Sequence, residues 1–320
     1  MLKISVGIST YNPDERLLRL IKSIEEYAPG IDIVVIDDGS PDGGESAVNI
    51  CNRGTAKLVK HDKNRGIPSA WNTAVKNLDA DLIIMLNDDI KIISEGWVES
   101  IKYFFENNEN IGGVGWPLIH IDPATGSPRS TEGFPTFDAD PGLVGSAVGC
   151  SFGFLKKCWE LIKNEDGSTG FWENLVSFYE EIFFGLKLAE KGYFSFMLPA
   201  PPLEHWGSRT FALNPELSLR EVNENSYVTP TEYQRILEDN AGTLWIPITD
   251  HLKLLAEGKA YRMDYSRSMF MRAWGLGSET WQNPQLVVHN SIFKGTRKIP
   301  LKWLDENGNK IEKEIIHNGV

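Results

Sequence analysis

The sequence predicts an α/β protein built on a mostly parallel sheet, on three observations. Apolar runs of strand length alternate with amphipathic segments of helix length over roughly the first 90 residues. Leu82-Ile83-Ile84-Met85-Leu86 is an unbroken apolar run, as in a strand buried on both faces, and it ends abruptly in Asn87-Asp88-Asp89. Two other strand-like runs also end in polar groups, at Ser9-Thr10-Tyr11 and at Asp37-Asp38. Open α/β sheets bind ligands beyond the carboxyl ends of their strands, so these three clusters are expected to converge on one crevice.

Taken in order, Lys3 to Thr10 alternates, with Ile4, Val6 and Ile8 on one face, and predicts the first strand. Asn12 as cap, Pro13 at the first helical position and Glu15 in a capping-box-like place predict a helix start. Leu17, Leu20, Ile21, Ile24 and Tyr27 form its apolar stripe, and Pro29-Gly30 stops it. Asp32 to Asp38 predicts a second buried strand, followed by a turn through Gly44. A short helix over Glu45 to Cys51, a strand around Lys57 to Lys60, a turn at Asn64-Arg65-Gly66 and a helix from Pro68 to Leu78 lead to the central strand.

Past it, Gly96 to Asn107 predicts an amphipathic helix with Trp97, Ile101, Phe104 and Phe105 on its core face, and Gly112 to Ile119 predicts another strand. Residues 122–142 lack a period and predict a long loop of the functional kind. Gly145 to Leu155 predicts a strand whose glycines permit close approach of a ligand or backbone. Phe178-Tyr179-Glu180-Glu181 opens a helix reaching about Lys191-Gly192. It carries Ile182, Phe183, Leu186 and Ala189 on one side and Phe184 and Leu188 on another, so it is expected to be buried. A strand from Tyr193 to Leu198 precedes Leu203-Glu204-His205-Trp206.

A first domain over residues 1–210 and a smaller C-terminal appendage over 211–320 follow from this pattern. The appendage predicts helices at Pro230–Asp239, capped by Thr229, and at Ile248–Glu257, and a hairpin over 300–316 turning at Asn307-Gly308. Within it, residues 259–302 hold eight Lys/Arg against two acids, interleaved with aromatics. Such a face suits a sugar–phosphate acceptor, an anionic lipid surface or a nucleic acid, with Arg262, Arg267 and Arg272 as acceptor-binding candidates. The alternative is a basic face docked on the acidic first domain.

Composition narrows the class. The chain has 320 residues, 41% hydrophobic and 24% charged, with a net charge of −12 that argues against binding polyanions over the whole surface. Cys51, Cys150 and Cys158 are too few for a disulfide framework and show no CxxC spacing, so a reducing, cytoplasmic setting is expected. No signal-peptide pattern opens the sequence, and no apolar run reaches the roughly 18 residues of a membrane span.

Adjacent carboxylates at the end of a buried strand repel each other and face desolvation. A hard divalent cation offsets both costs, and oxygen ligands suit Mg²⁺ or Mn²⁺. The alternative is a solvated acidic turn. The absence of a GxGxxG turn after the first strand argues against dinucleotide binding. The motifs SerThrTyrAsn (9–12), ValIleAspAspGlySer (35–40), AsnArgGly (64–66) with AlaTrpAsn (70–72), and LeuAsnAspAsp (86–89), in this order, resemble family 2 glycosyltransferases of the GT-A fold over about residues 3–210.

That resemblance implies transfer of a sugar from a nucleotide-diphosphate donor, usually with inversion, to a hydroxyl of a glycan, a lipid-linked or another acceptor, with modified nucleic acid as the outside case. It places Ser9, Thr10 and Tyr11 near the nucleobase and Asp38 on the base edge, typically uracil or thymine. It lines the nucleotide pocket with Arg65, sets Asp88 near the ribose, and makes Asp89 the ligand of the metal bridging the diphosphate. Relatives usually carry Glu-Asp before the buried helix, the second acid taking the acceptor's proton. Here Glu181 stands in that place, with Glu180 as substitute; the alternative is two acids complementing a helix dipole. His205, just after the last strand, is the expected second ligand to metal or diphosphate, imidazole suiting Mn²⁺ better than Mg²⁺. His61, His120, His251, His289 and His317 have no such placement.

Two rivals share part of this pattern. A nucleotidyltransferase would show a Gly-rich phosphate loop after the first strand, which Ser9-Thr10-Tyr11-Asn12 is not. A silent binding module would have no need of acids at its strand ends.

Overall fold

The computed structural model describes residues 1–122, 125–128, 141–145, 149–175, 178–206, 218–244, 246–305 and 307–318. The first half runs β1 (Ile4–Thr10), α1 (Glu15–Tyr27), β2 (Asp32–Asp37), α2 (Glu45–Cys51), β3 (Lys57–Lys60), α3 (Ile67–Asn77), β4 (Leu82–Asn87), β5 (Ile90–Lys91) and α4 (Trp97–Asn107). It continues through β6 (Ile111–Gly115), β7 (Leu118–His120), β8 (Gly142–Val144), β9 (Ser151–Leu155), α5 (Lys156–Leu161), α6 (Glu180–Glu190), β10 (Phe194–Met197) and β11 (Leu203–His205).

Among the described residues the main sheet has eight strands in the order β3-β2-β1-β4-β9-β6-β10-β8. The β3-β2-β1-β4 half is parallel throughout, β6 and β10 are parallel, and β9 and β8 run against their neighbours. Successive side chains of a strand face opposite ways, so Ile84 and Leu86 enter one core with α1 and α4, while Ile83 and Met85 enter another with Trp71 and Phe184. Both faces are therefore covered, which is what the apolar run of β4 requires.

Three elements differ from expectation. α1 begins two residues later than the Asn12-Pro13 signal implies: Asp14 is the cap, its carboxylate accepting from Arg16 N at 2.9 Å. Asn12 instead adopts a left-handed φ of 54° and donates its N–H to Ser40 Oγ at 2.7 Å. The expected strand Gly112–Ile119 is two strands in two sheets. Pro117, with no N–H to give, ends the first, and its carbonyl accepts from Leu203 N at 3.1 Å, which turns β7 into a separate three-stranded sheet with β11 and β5. Of the expected strand Gly145–Leu155, Ser151–Leu155 forms β9, Gly149 and Cys150 precede it as a turn, and residues 146–148 lie outside the described residues. Most of the loop 122–142 lies outside the described residues.

The remaining elements are β12 (Leu219–Glu221), α7 (Pro230–Asp239), α8 (Ile248–Ala256), β13 (Lys259–Tyr261), α9 (Arg262–Ala273), α10 (Pro284–Ile292) and the hairpin β14 (Thr296–Leu304) with β15 (Lys310–Asn318). Thr229 caps α7 as expected, accepting from Glu232 N. This region shares cores with the first 210 residues. Leu301 and Trp303 of β14 join the α1–α4 core, and Asn108 clasps Lys302, donating to its carbonyl at 2.7 Å and accepting from its N–H at 2.8 Å. Helix α6 is apolar on two sides because it is sandwiched: Phe184 and Leu188 face the sheet, and Phe183 and Leu186 face the C-terminal core of Tyr265, Met269 and Phe270. Among the described residues no helix is long and apolar enough to cross a membrane.

Candidate active site

The carboxyl ends of β1, β2 and β4 finish level, because Ser9 is in register with both Ile36 and Asn87, and Thr10 with Asp37. The three polar clusters read from the sequence therefore do converge. Thr10 Oγ1 donates to Asp88 Oδ2, joining the first cluster to the third. Burial pushes the Asp88 carboxyl up to about 7, with the neighbouring Asp89 charge adding to the rise and the Thr10 hydroxyl and Arg16 opposing it. Arg16, which the sequence reading did not single out, is a counter-charge to both acids, and Asp14 holds its guanidinium at 2.9 Å.

Asp37 and Asp38 divide their tasks. Asp37 is buried and accepts from both the N–H and the hydroxyl of Ser40, which ties down the turn; burial raises its carboxyl. Asp38 accepts from Arg65 N at 2.9 Å, Gly66 N at 2.8 Å and His61 Nδ1 at 2.7 Å. It thus organises the Asn64-Arg65-Gly66 loop while keeping acceptor capacity on Oδ2. Gly39 is needed for that loop to come close: a Cβ there would lie 2.1 Å from the Lys63 carbonyl carbon. Half-exposed Arg65 lies 3.8 Å from Glu173, while Ser9 and Tyr11 are half-buried on the same edge. His61, given no role from sequence, is thus a partner of Asp38.

Asp89 is buried, and its Oδ1 makes no hydrogen bond while lying 3.4 Å from His205 Nε2. The Asp89 carbonyl accepts from Trp206 N at 2.9 Å, which fixes β11 beside the acid. A second histidine emerges here. Parallel pairing sets His205 level with His120, their Nδ1 atoms 3.2 Å apart. The repeated Leu-x-His of Leu118–His120 and Leu203–His205 was the available signal. Among the described residues no set of three acids, histidines or cysteines is gathered as for a metal held by protein alone. Asp89 and His205 offer one oxygen and one imidazole, a donor set that fits a divalent cation sharing its remaining positions with substrate and water.

Glu180 and Glu181 open α6 as expected. Glu180 is buried with Oε2 making no hydrogen bond, and burial, with Glu181 next to it, raises its carboxyl well above the usual range. Burial pushes Glu181 up to about 7, opposed by backbone N–H groups of the first helical turn. Glu181 reaches its place over Gly149, where an added Cβ would lie 2.7 Å from its Cδ. Asn87 N donates to the adjacent Cys150 carbonyl at 3.0 Å, and the Cys150 thiol is pushed up first by desolvation and then by the charges of both Asp89 and Glu181. The acidic pair and the strand-end acids thus border one space. Segment 171–173, leading to the pair, is pinned by Asn72 of the AlaTrpAsn motif, which donates to Phe171 O at 2.8 Å and accepts from Phe171 N at 3.0 Å.

The three arginines expected to face an acceptor each have partners within the chain. Arg262 lies 3.5 Å from Asn64 Oδ1, Arg267 donates to the Tyr179 hydroxyl at 2.9 Å, and Arg272 pairs with Glu232 at 3.0 Å.

A sheet of this order, with acids on the carboxyl ends of its parallel strands, defines an α/β fold of the GT-A type. The crystal structure of GalNAc-T7 with UDP, GalNAc and Mn²⁺ shares it, with a TM-score of 0.50 and 14% identity over 80% of this chain and 55% of that one. The chain belongs to glycosyl transferase family 2, whose family model matches residues 5–167. It is 32% identical over 93 residues to a dolichol-phosphate mannosyltransferase of Pyrococcus furiosus, covering 28% of this chain and 26% of that protein. It is also 32% identical over 97 residues to an undecaprenyl-phosphate 4-deoxy-4-formamido-L-arabinose transferase of Proteus mirabilis, covering 28% of this chain and 29% of that one. The chain thus spans less than a third of the length of either relative. Glu180, Glu181 and His205 lie beyond residues 5–167, which the family model matches.

Proposed function

We propose that this chain is a metal-dependent, inverting glycosyltransferase that moves a sugar from a UDP- or dTDP-sugar to an acceptor hydroxyl. The observation that carries this reading is the buried, hydrogen-bond-free Asp89 Oδ1 beside His205 Nε2, at the strand ends that also hold Asp88 and Asp38. Asp89 and His205 would hold Mn²⁺ or Mg²⁺, which when bound stabilises the charge developing on the leaving diphosphate. Asp38, Thr10, Tyr11 and Ser9 surround the nucleobase, Asp88 meets the ribose, and Arg65 lines the pocket. Glu181 takes the proton of the acceptor hydroxyl as its oxygen attacks the anomeric carbon and the nucleoside diphosphate leaves. Glu180 is the poorer candidate, since it is buried deeper than Glu181 and less open to an acceptor.

The names of the two relatives favour a lipid-linked acceptor, which would bring the chain to a membrane face; the three cysteines without disulfide spacing favour the cytoplasmic side. Calorimetry of UDP with and without Mn²⁺ tests the reading. Wild-type binding should depend on the cation and be lost in Asp89→Ala; cation-independent binding, or unchanged binding in the variant, would remove Asp89 from the site.

A further inference from the structure

Phe178 and Tyr179 are consecutive non-glycine residues in the left-handed region, at φ 68° and 66°, immediately before the acidic pair. Bulky side chains rarely adopt this conformation, and it persists only where the surroundings over-determine it. The surroundings here come from α9, in the C-terminal part of the chain. Ser266 Oγ donates to Leu175 O at 2.6 Å, just upstream of the step. Arg267 Nε donates to the Tyr179 hydroxyl at 2.9 Å, and its guanidinium lies over the Trp281 ring at 4.9 Å. Phe270 packs on the Tyr179 ring with centroids 5.2 Å apart. Downstream, the Tyr179 carbonyl accepts from Phe183 N at 2.8 Å and starts α6. The backbone turn that aims Glu180 and Glu181 is therefore gripped from outside its own helix.

We propose that Arg267 is a positioning residue for the acidic pair: through the Tyr179 hydroxyl it holds the left-handed Phe178–Tyr179 step and so fixes where Glu180 and Glu181 point. The proposal rests on the reading of Glu181 as the base. It gives the C-terminal region a part in the chemistry without contact to either substrate. A base displaced by about 1 Å can lose on the order of 10²-fold in rate, so a single hydrogen bond at this step has catalytic reach.

The test uses the full chain. Arg267→Met keeps an apolar stem near Trp281 and removes the donor; Tyr179→Phe keeps the ring against Phe270 and removes only the acceptor. Chains labelled with ¹³C-glutamate are titrated by NMR, the pair's signals being assigned with Glu180→Gln and Glu181→Gln, and UDP affinity is measured alongside with Mn²⁺. In each variant the raised titration of the pair should fall by one unit or more, as the loosened step admits water, with UDP affinity within two-fold of wild type. The double variant should shift no further, since both changes remove one bond. Losing the Arg267 charge would by itself raise a nearby carboxyl, so a fall reports hydration.

A folded variant that titrates as wild type overturns the proposal, as does a wild-type pair in the ordinary carboxylate range, or a fall matched by lost UDP affinity. Should Arg267→Met not fold, Tyr179→Phe decides alone. Glu181→Gln with full transfer sinks the functional reading instead, and leaves the titration result standing.

Discussion

His205 and His120 face each other from register-matched places on parallel strands, with their Nδ1 atoms 3.2 Å apart. At that separation one Nδ1 carries the hydrogen and the other accepts it. When His205 is the donor, its Nε2 keeps a lone pair on the side of Asp89, 3.4 Å away. If His205 holds the cation as proposed, His120 sets its tautomer and ring orientation, and partners of this kind are typically worth about 10–100-fold in metal affinity. His120→Ala should weaken Mn²⁺ binding in the presence of UDP by a factor in that range, and His205→Ala by more. Equal affinity in His120→Ala and wild type, measured by calorimetry, would detach the second histidine from the site.

Asp38 is expected to show two losses at once. Its removal strands the buried Gly66 N–H, the partly buried Arg65 N–H and one ring nitrogen of His61. Each unpaired buried donor costs about 1–3 kcal/mol, so Asp38→Ala should show a clear drop in urea-unfolding stability. UDP affinity should fall as well, beyond what partial unfolding explains. A variant that loses stability but binds UDP as wild type would leave Asp38 as a loop fastener only.

Gly149 separates space from charge. An alanine there would place Cβ 2.7 Å from Glu181 Cδ and 2.8 Å from Oε1, so the carboxylate must move. Gly149→Ala should fold, bind UDP and Mn²⁺ normally, and lose transfer by about 10²-fold, the cost of a displaced base. Wild-type turnover would show that Glu181 does not need its present place.

What was legible in the sequence is what local pattern controls. The five-residue apolar run of β4 demanded cover on both faces and has it, and the two apolar sides of α6 foretold its burial. Contacts between distant segments were not legible. His120 finds His205 85 residues away, and only the pairing of β7 with β11 brings them level. The strand break at Pro117 was visible as a proline, yet its consequence, a change of sheet, depends on Leu203 arriving at its carbonyl. Asn12 looked like a cap because its composition suits one; Ser40, 28 residues on, takes its N–H instead. The basic stretch 259–302 displayed charge without direction, and Arg262, Arg267 and Arg272 turn toward Asn64, Tyr179 and Glu232.

Glu181 makes the sharpest prediction about pH. Burial pushes its carboxyl up to about 7, so a sizeable fraction is protonated near neutrality and cannot accept the acceptor's proton. Transfer should therefore rise with pH, close to tenfold per unit below about 7, and level off above it. Glu181→Gln keeps the shape but cannot take a proton, so it should lose roughly 10²–10⁴ in rate together with that acidic limb. Glu180→Gln resembles the protonated form that its burial already favours and should lose far less. Stability runs the opposite way. A carboxyl raised on folding lends stability in its protonated form, fully present below the ordinary value of about 4.3 and lost as pH rises through about 7. In the absence of cation and donor, wild-type Tm should fall between about pH 5 and pH 8, and Glu181→Gln should flatten part of that fall. If Glu181→Gln keeps both the transfer rate and the acidic limb, the proton goes elsewhere; if the two glutamine variants exchange phenotypes, Glu180 is the base.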